Sequence, residues 1–522
     1  MRQPILIVLC MAVLVTAAKR RTAPTKDEPI IVVGAGLAGL SATLEALRDG
    51  QKVVLVEGEK NVGGNSAKAS SGISACGTDA QEKAGIEDSA TLFQTDTLNA
   101  GDHENDESLV RLLVEHSEDA VRFLTEAGVD LSDVNLCGGH SVPRTHWIPS
   151  PKEGRPTPVG LGIIKALYAK IQQYSEENPG KYTEYLETKV LGLSSWNEYM
   201  VGVRVRLHNG TINEIDGKGI ILATGGFTAD KDSEASLLLE FASDKAHLPT
   251  TNGAFARGDG VKMARAMGAQ VIGMNKVQVH PTAFIDPKTP GDNTKFLAAE
   301  ALRGKGALLL NSKGKRIGNE LGRRDYLTGR INKECEKVES FQGGSGPHVA
   351  AIMLMTDEMA DAFGRPAFGF YANVKKFFTK YDDIKAFAAA LGAPYTEVEK
   401  TIREYNAIVE AEGKKKKDLF GKTVFPFAVA LDKPVYAALV TPALHYTMGG
   451  LRIDRNAFVF NEFMDRSFKG LLAAGEVTGG VHGSNRLAGN SLLECVVFGR
   501  VAGRSASLID YTGEDGIMHA EL

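Results

Sequence analysis

The stretch Pro29-Ile-Ile-Val-Val-Gly-Ala-Gly-Leu-Ala-Gly39, followed by Lys52-Val-Val-Leu-Val-Glu57, decides the fold. Its apolar run from position 30 to 33 predicts a buried strand. Leucines at positions 37, 40, 44 and 47 share one helical face and predict a helix between residues 35 and 50. A strand, a glycine turn, a helix and a second strand form a βαβ unit with a parallel sheet. The chain is therefore predicted to be an α/β protein.

The turn between that first strand and helix matches GxGxxG through Gly34, Gly36 and Gly39. The motif alone is common, but here it follows a strand and opens a helix, and Glu57 ends the next strand. Glycines at these positions let the backbone approach a pyrophosphate, which is held at the helix N-terminus, and the acidic residue accepts from ribose hydroxyls. The context predicts a dinucleotide site.

A second glycine-rich, polar loop favours FAD over NAD. It contains Gly63-Gly-Asn-Ser66 and Ala69-Ser-Ser-Gly72, directly after the acidic residue at the ribose position. Such a loop is expected to pass under an isoalloxazine ring. Two further glycine turns at strand ends, Ala223-Thr-Gly-Gly226 and Ala474-Gly-Glu476, fit an extended dinucleotide.

The domain order follows from where the strand pattern stops and returns. After about residue 245 the chain changes to mixed helices, loops and short strands, and a buried strand returns at 470–474 before a final helix at 491–509. We predict a Rossmann-like FAD-binding domain interrupted by an inserted α+β capping domain. The predicted limits are 28–245 and 441–510 for the FAD-binding domain, 246–440 for the capping domain and 511–522 for a C-terminal tail.

Both ends of the chain suggest a cellular location. Residues 1–18 combine a short basic start with a mostly apolar run, which predicts a signal peptide or another leader. The chain ends His519-Ala-Glu-Leu522, a degenerate form of the HDEL retention signal. Together these features predict the endoplasmic reticulum lumen or secretory pathway, with the mitochondrion as the alternative.

Composition excludes several classes of protein. The net charge is -4 at pH 7, which argues against a nucleic-acid binder. The five cysteines are widely spaced and form no CxxC pair. This spacing argues against a metal site, a haem attachment or an iron–sulfur cluster within the chain.

A charged cluster interrupts apolar sequence in the middle of the chain. Glu300 precedes Arg303 by three residues, and Arg323 and Arg324 follow downstream. An isolated pair of this kind is usually a surface salt bridge. The other possibilities are that an arginine binds a carboxylate through its fork of donors, or that it passes a proton resupplied by the neighbouring carboxylate.

Several motifs occur together and in order, and on them the chain resembles the fumarate reductase/succinate dehydrogenase flavoprotein family over roughly residues 28–510, in particular its soluble, yeast-type members. The motifs are Gly63-Gly-Asn-Ser66, Gly139-His-Ser-Val-Pro-Arg-Thr-His146, Thr250-Thr-Asn-Gly253, Gly258-Asp-Gly260, Val279-His-Pro-Thr282, Glu300-Ala-Leu-Arg-Gly304, Arg324-Asp325, His445-Tyr-Thr-Met-Gly-Gly450, Ala474-Gly-Glu476 and His482-Gly-Ser-Asn-Arg-Leu-Ala-Gly-Asn490.

The resemblance implies an FAD-dependent reduction of fumarate to succinate. Arg324 matches the arginine that protonates the substrate, and Glu300 and Arg303 match the relay that returns a proton to it. The implied substrate contacts are His280, His445, Arg486, Ser71 and Gly489. Together with the glycine turns, the implied cofactor-binding residues are Gly34, Ala35, Gly36, Gly39, Glu57, Asn65, Ser66, Ser70, Ser71, Val190, Asp259, Glu476, Ser491 and Leu492.

Departures from the family pattern refine these expectations. Succinate dehydrogenase flavoproteins attach FAD through a histidine, but positions 66–72 hold none, so noncovalent FAD and no obligatory iron–sulfur subunit are expected. Ala299 stands where bacterial relatives have a threonine. The expected electron donor is a diffusible reduced flavin or a reductase. Arg144 is expected to bridge the domains.

Three other functions remain open at this point. One is a related flavin dehydrogenase or oxidase of the same fold, acting on another dicarboxylate or enoate. Another is a catalytically inactive FAD-binding protein. The last is a flavoprotein subunit that needs an iron–sulfur partner, against which the missing histidine argues.

Overall fold

The computed structural model describes residues 24–151, 157–231, 234–411 and 416–511. The leader, the final His519–Leu522 and Cys10 lie outside these ranges. The strands, in chain order, are β1 (Ile30–Val33), β2 (Val53–Val56), β3 (Ile73–Ser74), β4 (Asp133–Asn135), β5 (Thr145–Trp147), β6 (Tyr182–Tyr185), β7 (Lys189–Trp196), β8 (Tyr199–Arg206), β9 (Ile212–Asp216), β10 (Gly219–Leu222), β11 (Val271–Ile272), β12 (Val277–Phe284), β13 (Phe296–Leu297), β14 (Leu308–Leu310), β15 (Ala351–Thr356), β16 (Thr379–Tyr381), β17 (Val435–Thr447), β18 (Gly450–Arg452), β19 (Phe458–Asn461), β20 (Arg466–Ala473) and β21 (Thr478–Gly479).

Helices connect and cover these strands. In chain order the α-helices are α1 (Leu37–Arg48), α2 (Asp79–Lys83), α3 (Ala90–Ala100), α4 (Glu107–Glu115), α5 (Ser117–Glu126), α6 (Val159–Glu177), α7 (Leu237–Phe241), α8 (Asp259–Ala266), α9 (Glu300–Gly304), α10 (Arg324–Glu334), α11 (Asp357–Phe363), α12 (Arg365–Gly369), α13 (Ile384–Leu391), α14 (Tyr395–Glu410) and α15 (Asn490–Ser507).

The largest sheet is the predicted parallel sheet. Its order is β6-β2-β1-β10-β20-β8-β7, and the first five of these strands pair in parallel. β1 and β2 are buried along their whole length, as expected for parallel strands covered on both faces. The C-terminal strand β20 pairs with β10, so the two ends of the chain build one sheet. The α/β class and the FAD-binding fold are confirmed.

A second sheet is built by the middle of the chain. Its order is β13-β12-β17-β15-β14, with β16 also paired to β17, and its pairings are antiparallel. One apolar cluster surrounds the parallel sheet, and a separate cluster between Phe284 and Val440 surrounds the antiparallel sheet. A fully buried Leu or Ile side chain in such a cluster contributes roughly 1.5–3 kcal/mol. The exact limits of the two domains stay a prediction.

The glycine turn before α1 shows why the motif needs glycine. A Cβ at Gly39 would lie 1.8 Å from the carbonyl oxygen of Gly34, so only glycine lets the helix start this close to the strand. Gly34 itself has φ +103°, a backbone conformation that residues with a side chain rarely adopt. The turn is therefore specified locally by its residues.

One detail of the sequence prediction was wrong. Arg144 does not bridge domains, because its ion-pair partners Asp88 and Asp96 lie in the same part of the FAD-binding domain.

Candidate active site

A cavity of about 450 Å³ opens at the carboxyl ends of β1, β10 and β20, where open α/β sheets bind ligands. It is lined by most of the predicted cofactor residues, namely Gly34, Gly36, Glu57, Asn65, Ser66, Ser70, Ser71, Val190, Asp259, Glu476, Ser491 and Leu492. The predicted substrate residues His445, Arg486 and Gly489 line the same cavity. The structure thus brings together residues separated by more than 400 positions.

Ala35 and Gly39 do not line the cavity. They fix the conformation of the glycine turn beside it. The Ala35 N–H donates to Glu57 Oε2 at 2.6 Å, which ties the glycine turn to the end of β2. The Glu59 N–H donates to the other oxygen, Oε1, at 2.9 Å. Burial raises the pKa of Glu57, and these two N–H donors oppose the rise. The carboxylate keeps lone pairs free for ribose hydroxyls.

Two helix N-termini meet the cavity, and neither has a side-chain cap from its own N-cap residue. α1 begins after Gly36 and α15 begins after Gly489, and neither glycine can supply a capping oxygen. Uncapped N–H groups and the helix dipole favour anionic groups at such ends. The lining therefore fits a dinucleotide whose pyrophosphate and electron-rich ring system need donors.

The second glycine loop is held in place by side chains of its own residues. Asn65 Oδ1 accepts from the Gly253 N–H at 2.9 Å, and Ser66 Oγ accepts from the Leu37 N–H at 3.3 Å. These bonds connect the loop to a distant turn and to the start of α1. The loop is therefore positioned before any cofactor binds.

Glu476 is a buried carboxyl at this cavity. The Thr447 N–H donates to its Oε1 at 2.9 Å. Burial raises its pKa to about 7, against the smaller lowering effects of the Thr447 N–H and the Arg486 charge. A carboxyl raised this far is neutral in a large fraction of molecules near pH 7.

Glu476→Gln is expected to change how the stability of the FAD-free protein depends on pH. The pKa of Glu476 in the folded protein lies above the ordinary glutamate value of 4.5, so its stabilising contribution is complete below that value and is lost as pH rises through about 7. Between pH 5 and 8.5 the wild type should lose up to about 3 kcal/mol relative to the variant. Denaturant unfolding at both pH values measures this difference, and Glu59→Gln at an exposed position is the control. Parallel pH profiles of wild type and Glu476→Gln would contradict it.

The predicted proton donor Arg324 lies beside Glu300 in the capping domain. Arg324 Nε and Nη2 donate to Glu300 Oε2 at 3.3 and 3.2 Å, and Nη1 donates to Gln278 Oε1 at 2.6 Å. The Gly138 N–H donates to the other carboxylate oxygen, Oε1, at 2.7 Å. Both Arg324 and Glu300 begin helices, α10 and α9, and both side chains are 5% exposed. The surface salt bridge considered for Glu300 and Arg303 is wrong, because both of those side chains are buried as well.

Arg303 completes the cluster behind Glu300. Its Nη2 lies 4.0 Å from Glu300 Oε2, and its Nη1 donates to the Glu320 carbonyl oxygen at 2.6 Å. Burial raises the pKa of the Glu300 carboxyl, but Arg324 and Arg303 outweigh it and hold that pKa below its usual range. Burial lowers the pKa of Arg303. The three groups form a continuous buried row in the predicted order.

The two predicted substrate histidines are brought together by β12 and β17. His280 and His445 lie on these neighbouring antiparallel strands, and their ring centroids are 5.1 Å apart. Burial and the Arg324 charge hold the pKa of each imidazole well below its usual range. Both histidines are therefore neutral in the free protein.

Arg486 reaches the same place from the turn before α15. Its guanidinium lies 4.5 Å from the centre of the Tyr446 ring, and its Nη1 donates to the Leu487 carbonyl oxygen at 3.4 Å. Burial and the charge of Arg324 lower its pKa to about 10. Arg486 stays charged at neutral pH.

Buried donors without partners mark this cluster as a site for an anion. His280 Nε2, Arg486 Nε, and Arg303 Nε and Nη2 have no hydrogen-bond partner among the described residues. Arg303, Arg324 and Arg486 against Glu300 leave a charge of about +2 on these four groups. Buried positive charge without full compensation is costly, so these four groups favour a ligand of opposite charge.

Sequence reasoning missed three groups that hold the cluster. Gln278 binds Arg324, and the backbone N–H of Gly138 binds Glu300. Gln278 lies two residues before His280 on β12. Side chains two residues apart on a strand point to the same face, so this spacing was the signal that could have identified Gln278. No side chain signals the Gly138 contact, since a backbone N–H makes it. Thr251, in the motif Thr250-Thr-Asn-Gly253, also had no predicted role. Its Oγ1 lies 2.8 Å from His445 Nδ1.

In the described part of the chain, no group of three or more His, Cys, Asp or Glu side chains is arranged to hold a metal ion. No helix there is both long and apolar enough to cross a membrane. Cys76, Cys137, Cys335 and Cys495 are buried free thiols.

Comparison with known proteins was decisive. Residues 29–492 match the family described as an FAD binding domain. The chain is 36% identical to fumarate reductase 1 of Saccharomyces cerevisiae, over 91% of this chain and 98% of the relative.

The chain belongs to the fumarate reductase family of FAD-binding flavoproteins.

Other members of the family agree with this assignment. The fumarate reductase of Schizosaccharomyces pombe is 36% identical over 91% of this chain and 89% of the relative. The open conformation of a flavocytochrome c3 fumarate reductase superposes with a TM-score of 0.70 at 32% identity, covering 93% of this chain and 78% of that one. The chain is an FAD-dependent oxidoreductase, and FAD is its cofactor, as the sequence predicted.

Proposed function

We propose that this enzyme reduces fumarate to succinate, with Arg324 as the proton donor. The observation that carries the proposal is the buried cluster of Arg303, Arg324, Arg486 and Glu300, with its charge of about +2 and its unpartnered donors beside the FAD cavity. Fumarate is a dianion at neutral pH, and its charge matches the cluster. The names of the yeast relatives support the same substrate.

Substrate binding is assigned to groups on both sides of the cavity. Arg486 and His445 bind one carboxylate from the cavity wall, and His280 presents its unpartnered Nε2 to the other. Nε2 donates in the tautomer in which His280 Nδ1 accepts from the Thr282 N–H at 3.2 Å. Ser71 and Gly489 line the same cavity, where the substrate is proposed to meet the cofactor. Charge-assisted hydrogen bonds of this kind are about twice as strong as neutral ones and fix the orientation of the substrate.

The chemical step needs a hydride and a proton on opposite carbons of the double bond. Reduced FAD, when bound, supplies the hydride. Arg324 and the histidines stabilise the negative charge that develops on the second carbon and its carboxylate, which is where preorganised donors contribute most. Arg324 then gives its proton to that carbon.

A relay restores the proton on Arg324. Glu300 contacts Arg324 directly and passes it a proton taken from Arg303, and Arg303 regains a proton from solvent before the next turnover. The Arg303–Glu300 separation of 4.0 Å exceeds a hydrogen bond by about 1 Å. Such contacts are often long before substrate binds, so this distance is expected to shorten in the complex.

The proposal is tested by following the flavin. The purified protein is reduced anaerobically and fumarate is added while absorbance is recorded. Rapid reoxidation by fumarate, and slow or no reoxidation by a neutral enoate of similar size, is expected. If fumarate does not reoxidise the bleached flavin, the protein would be an inactive FAD-binding protein. If another dicarboxylate or enoate reoxidises it faster than fumarate does, that compound would be the substrate.

We expect FAD to be bound noncovalently. Residues 66–72, which pass along the cavity, contain no histidine to attach it. Acid or heat denaturation should release intact FAD into the supernatant, where it is measured by absorbance and chromatography. Yellow colour that stays with the precipitated polypeptide would contradict the expectation.

The proposed electron donor is a diffusible reduced flavin or a separate reductase, with no obligatory iron–sulfur subunit. The partly open FAD cavity supports access by such a donor, and Lys68 and Phe255 line its wall. Turnover by the isolated chain with chemically reduced flavin mononucleotide tests this. Activity only after addition of an iron–sulfur protein would contradict it.

We propose a location in the endoplasmic reticulum lumen or secretory pathway, with the mitochondrion as the alternative. The apolar start and the His519-Ala-Glu-Leu522 ending support it. An internally tagged protein that keeps both native ends should co-localise with a luminal marker. Signal only in mitochondria or cytosol would rule out the lumen.

A further inference from the structure

One loop contacts both halves of the proposed active site. The loop between β4 and β5 places the Gly138 N–H on Glu300 Oε1 at 2.7 Å, on the side of the proton relay. Two residues later, His140 Nε2 lies 2.8 Å from the carbonyl oxygen of Ala488, in the turn that carries Arg486 and Gly489. We call Gly138–Arg144 the connecting loop.

The chemistry of His140 follows from its second ring nitrogen. Arg144 Nη1 lies 3.2 Å from His140 Nδ1. A guanidinium only donates, so Nδ1 accepts and the ring proton is on Nε2, which donates to Ala488. Burial and the Arg144 charge lower the pKa of His140 to about 4, while Asp96 and Glu300 act weakly in the other direction. The imidazole is therefore neutral with one defined tautomer.

Arg144 is held rigidly by two aspartates. Its Nε and Nη2 donate to the carboxylate of Asp88 at 3.0 and 2.8 Å, and its Nη1 donates to Asp96 at 2.5 Å. Asp96 also accepts from the Ser141 N–H at 2.8 Å. The Arg144 side chain is fully buried. A guanidinium bound on this many sides has one available position.

The turn that contains Ala488 accepts the His140 hydrogen bond and is held by further contacts. The Ala488 carbonyl oxygen accepts a second bond from Ser74 Oγ at 3.0 Å. Gly489 has φ +77°, and a Cβ there would lie 2.1 Å from Ser74 Oγ, so the turn is packed tightly on β3. The Arg486 guanidinium makes one long hydrogen bond, to the Leu487 carbonyl oxygen, and lies over the Tyr446 ring, while the Arg486 carbonyl oxygen accepts from Gln278 Nε2 at 2.9 Å. The position of the guanidinium therefore depends on the turn as well as on Tyr446.

We propose that His140, fixed by Arg144, is a positioning residue that holds the Arg486–Gly489 turn at a set distance from the Glu300–Arg324 pair. The inference rests on the proposed function, since it concerns the placement of a dicarboxylate between a carboxylate-binding arginine and a proton donor. Neither His140 nor Arg144 lines the cavity, so each acts through the turn. Loss of the hydrogen bond between His140 and Ala488 lets the turn shift. Arg486 then no longer reaches one carboxylate of the substrate when the other end of the substrate lies at Arg324.

His140→Leu and His140→Gln separate this role from ordinary structural support. Leucine removes both ring contacts, whereas the glutamine amide can still donate to Ala488. His146 is the matched control: it is fully buried in the next strand and contacts Thr78 Oγ1 through Nε2 at 2.7 Å. Each variant is made as the FAD-loaded full chain, and melting temperature and FAD content are measured alongside binding and turnover.

The main readout is the dissociation constant of malonate, a dicarboxylate that cannot be reduced, from the flavin absorbance change. His140→Leu should weaken malonate at least tenfold and raise the KM for fumarate at least as much, and His140→Gln should recover most of both. His146→Leu should lower the melting temperature and leave malonate affinity within twofold. Malonate affinity and KM within twofold of wild type in His140→Leu would overturn the inference.

Failure of the proposed function would look different. A wild type that binds malonate but is not reoxidised by fumarate would disprove fumarate reduction, and the ratios of malonate affinity would still test the connecting loop. A wild type that binds no malonate would overturn both, because each assumes a carboxylate-binding turn at Arg486.

Discussion

Replacing Arg324 by alanine is expected to lower fumarate turnover by about 10²–10⁴-fold, the usual loss when a positioned acid is removed. Its guanidinium is buried between Glu300 and Gln278, and none of these neighbours can donate to the substrate carbon from the same place. FAD should remain bound and reducible, because Arg324 lies outside the cavity lining. Stopped-flow reoxidation of the reduced protein by fumarate measures the effect.

The adjacent arginine provides the control. Arg323 is partly exposed and pairs with Asp102 at 2.7 Å and Asp325 at 3.1 Å, so Arg323→Ala should keep turnover within a few-fold of wild type. Arg324→Lys should recover a small part of the activity, since lysine donates a proton but lacks the planar fork. Arg486→Ala should weaken fumarate binding as well as turnover. Normal turnover in Arg324→Ala with loss in Arg486→Ala would move the search for the acid to His280 and Arg303.

Glu300→Gln is expected to lower turnover by a similar factor while dicarboxylate binding is kept or improved. The change removes the acceptor between Arg303 and Arg324 and stops the return of the proton. It also raises the charge of the four-group cluster from about +2 to about +3, which favours a bound dianion. A fall in turnover together with an unchanged or smaller malonate dissociation constant is therefore the expected signature.

Stability must be measured in the same samples. Glu300 offsets two buried guanidinium groups, and breaking a buried ion pair costs roughly 3–5 kcal/mol, so the melting temperature should fall. Glu300→Asp keeps the charge with a shorter reach and should recover stability better than turnover. A weaker affinity for malonate in Glu300→Gln would show that Glu300 supports substrate binding and would contradict a role limited to the relay.

Much of the cofactor site was predictable because its chemistry is local. Gly34, Gly36 and Gly39 lie between one strand and one helix, and steric contact within that unit already requires glycine. Glu57 ends the adjacent strand, so the parallel pairing of β1 and β2 alone brings it to the turn. The burial of Glu300 was not predictable in this way, because the i,i+3 spacing of Glu300 and Arg303 is equally typical of an exposed helix.

Arg144 shows where sequence reasoning failed. Its motif suggested a bridge between domains, but its aspartate partners lie 48 and 56 residues earlier, and no pattern in the sequence connects them. Gly138 was missed because it acts through its backbone. The neutral state of His280 and His445 also depends on burial beside Arg324, which no local motif contains.

The amino-acid sequence by itself determined the strand–turn–helix unit, the FAD turn and the set of charged residues, because each depends on residue type and on neighbours within a few positions. Only the tertiary structure decided which charges meet, how deeply they are buried and which donors lack partners. Those properties come from packing β12 against β17 and α10 beside α9, across separations of tens to hundreds of residues. Charge state and free donors depend on burial and on spatial neighbours, so they are properties of the folded chain.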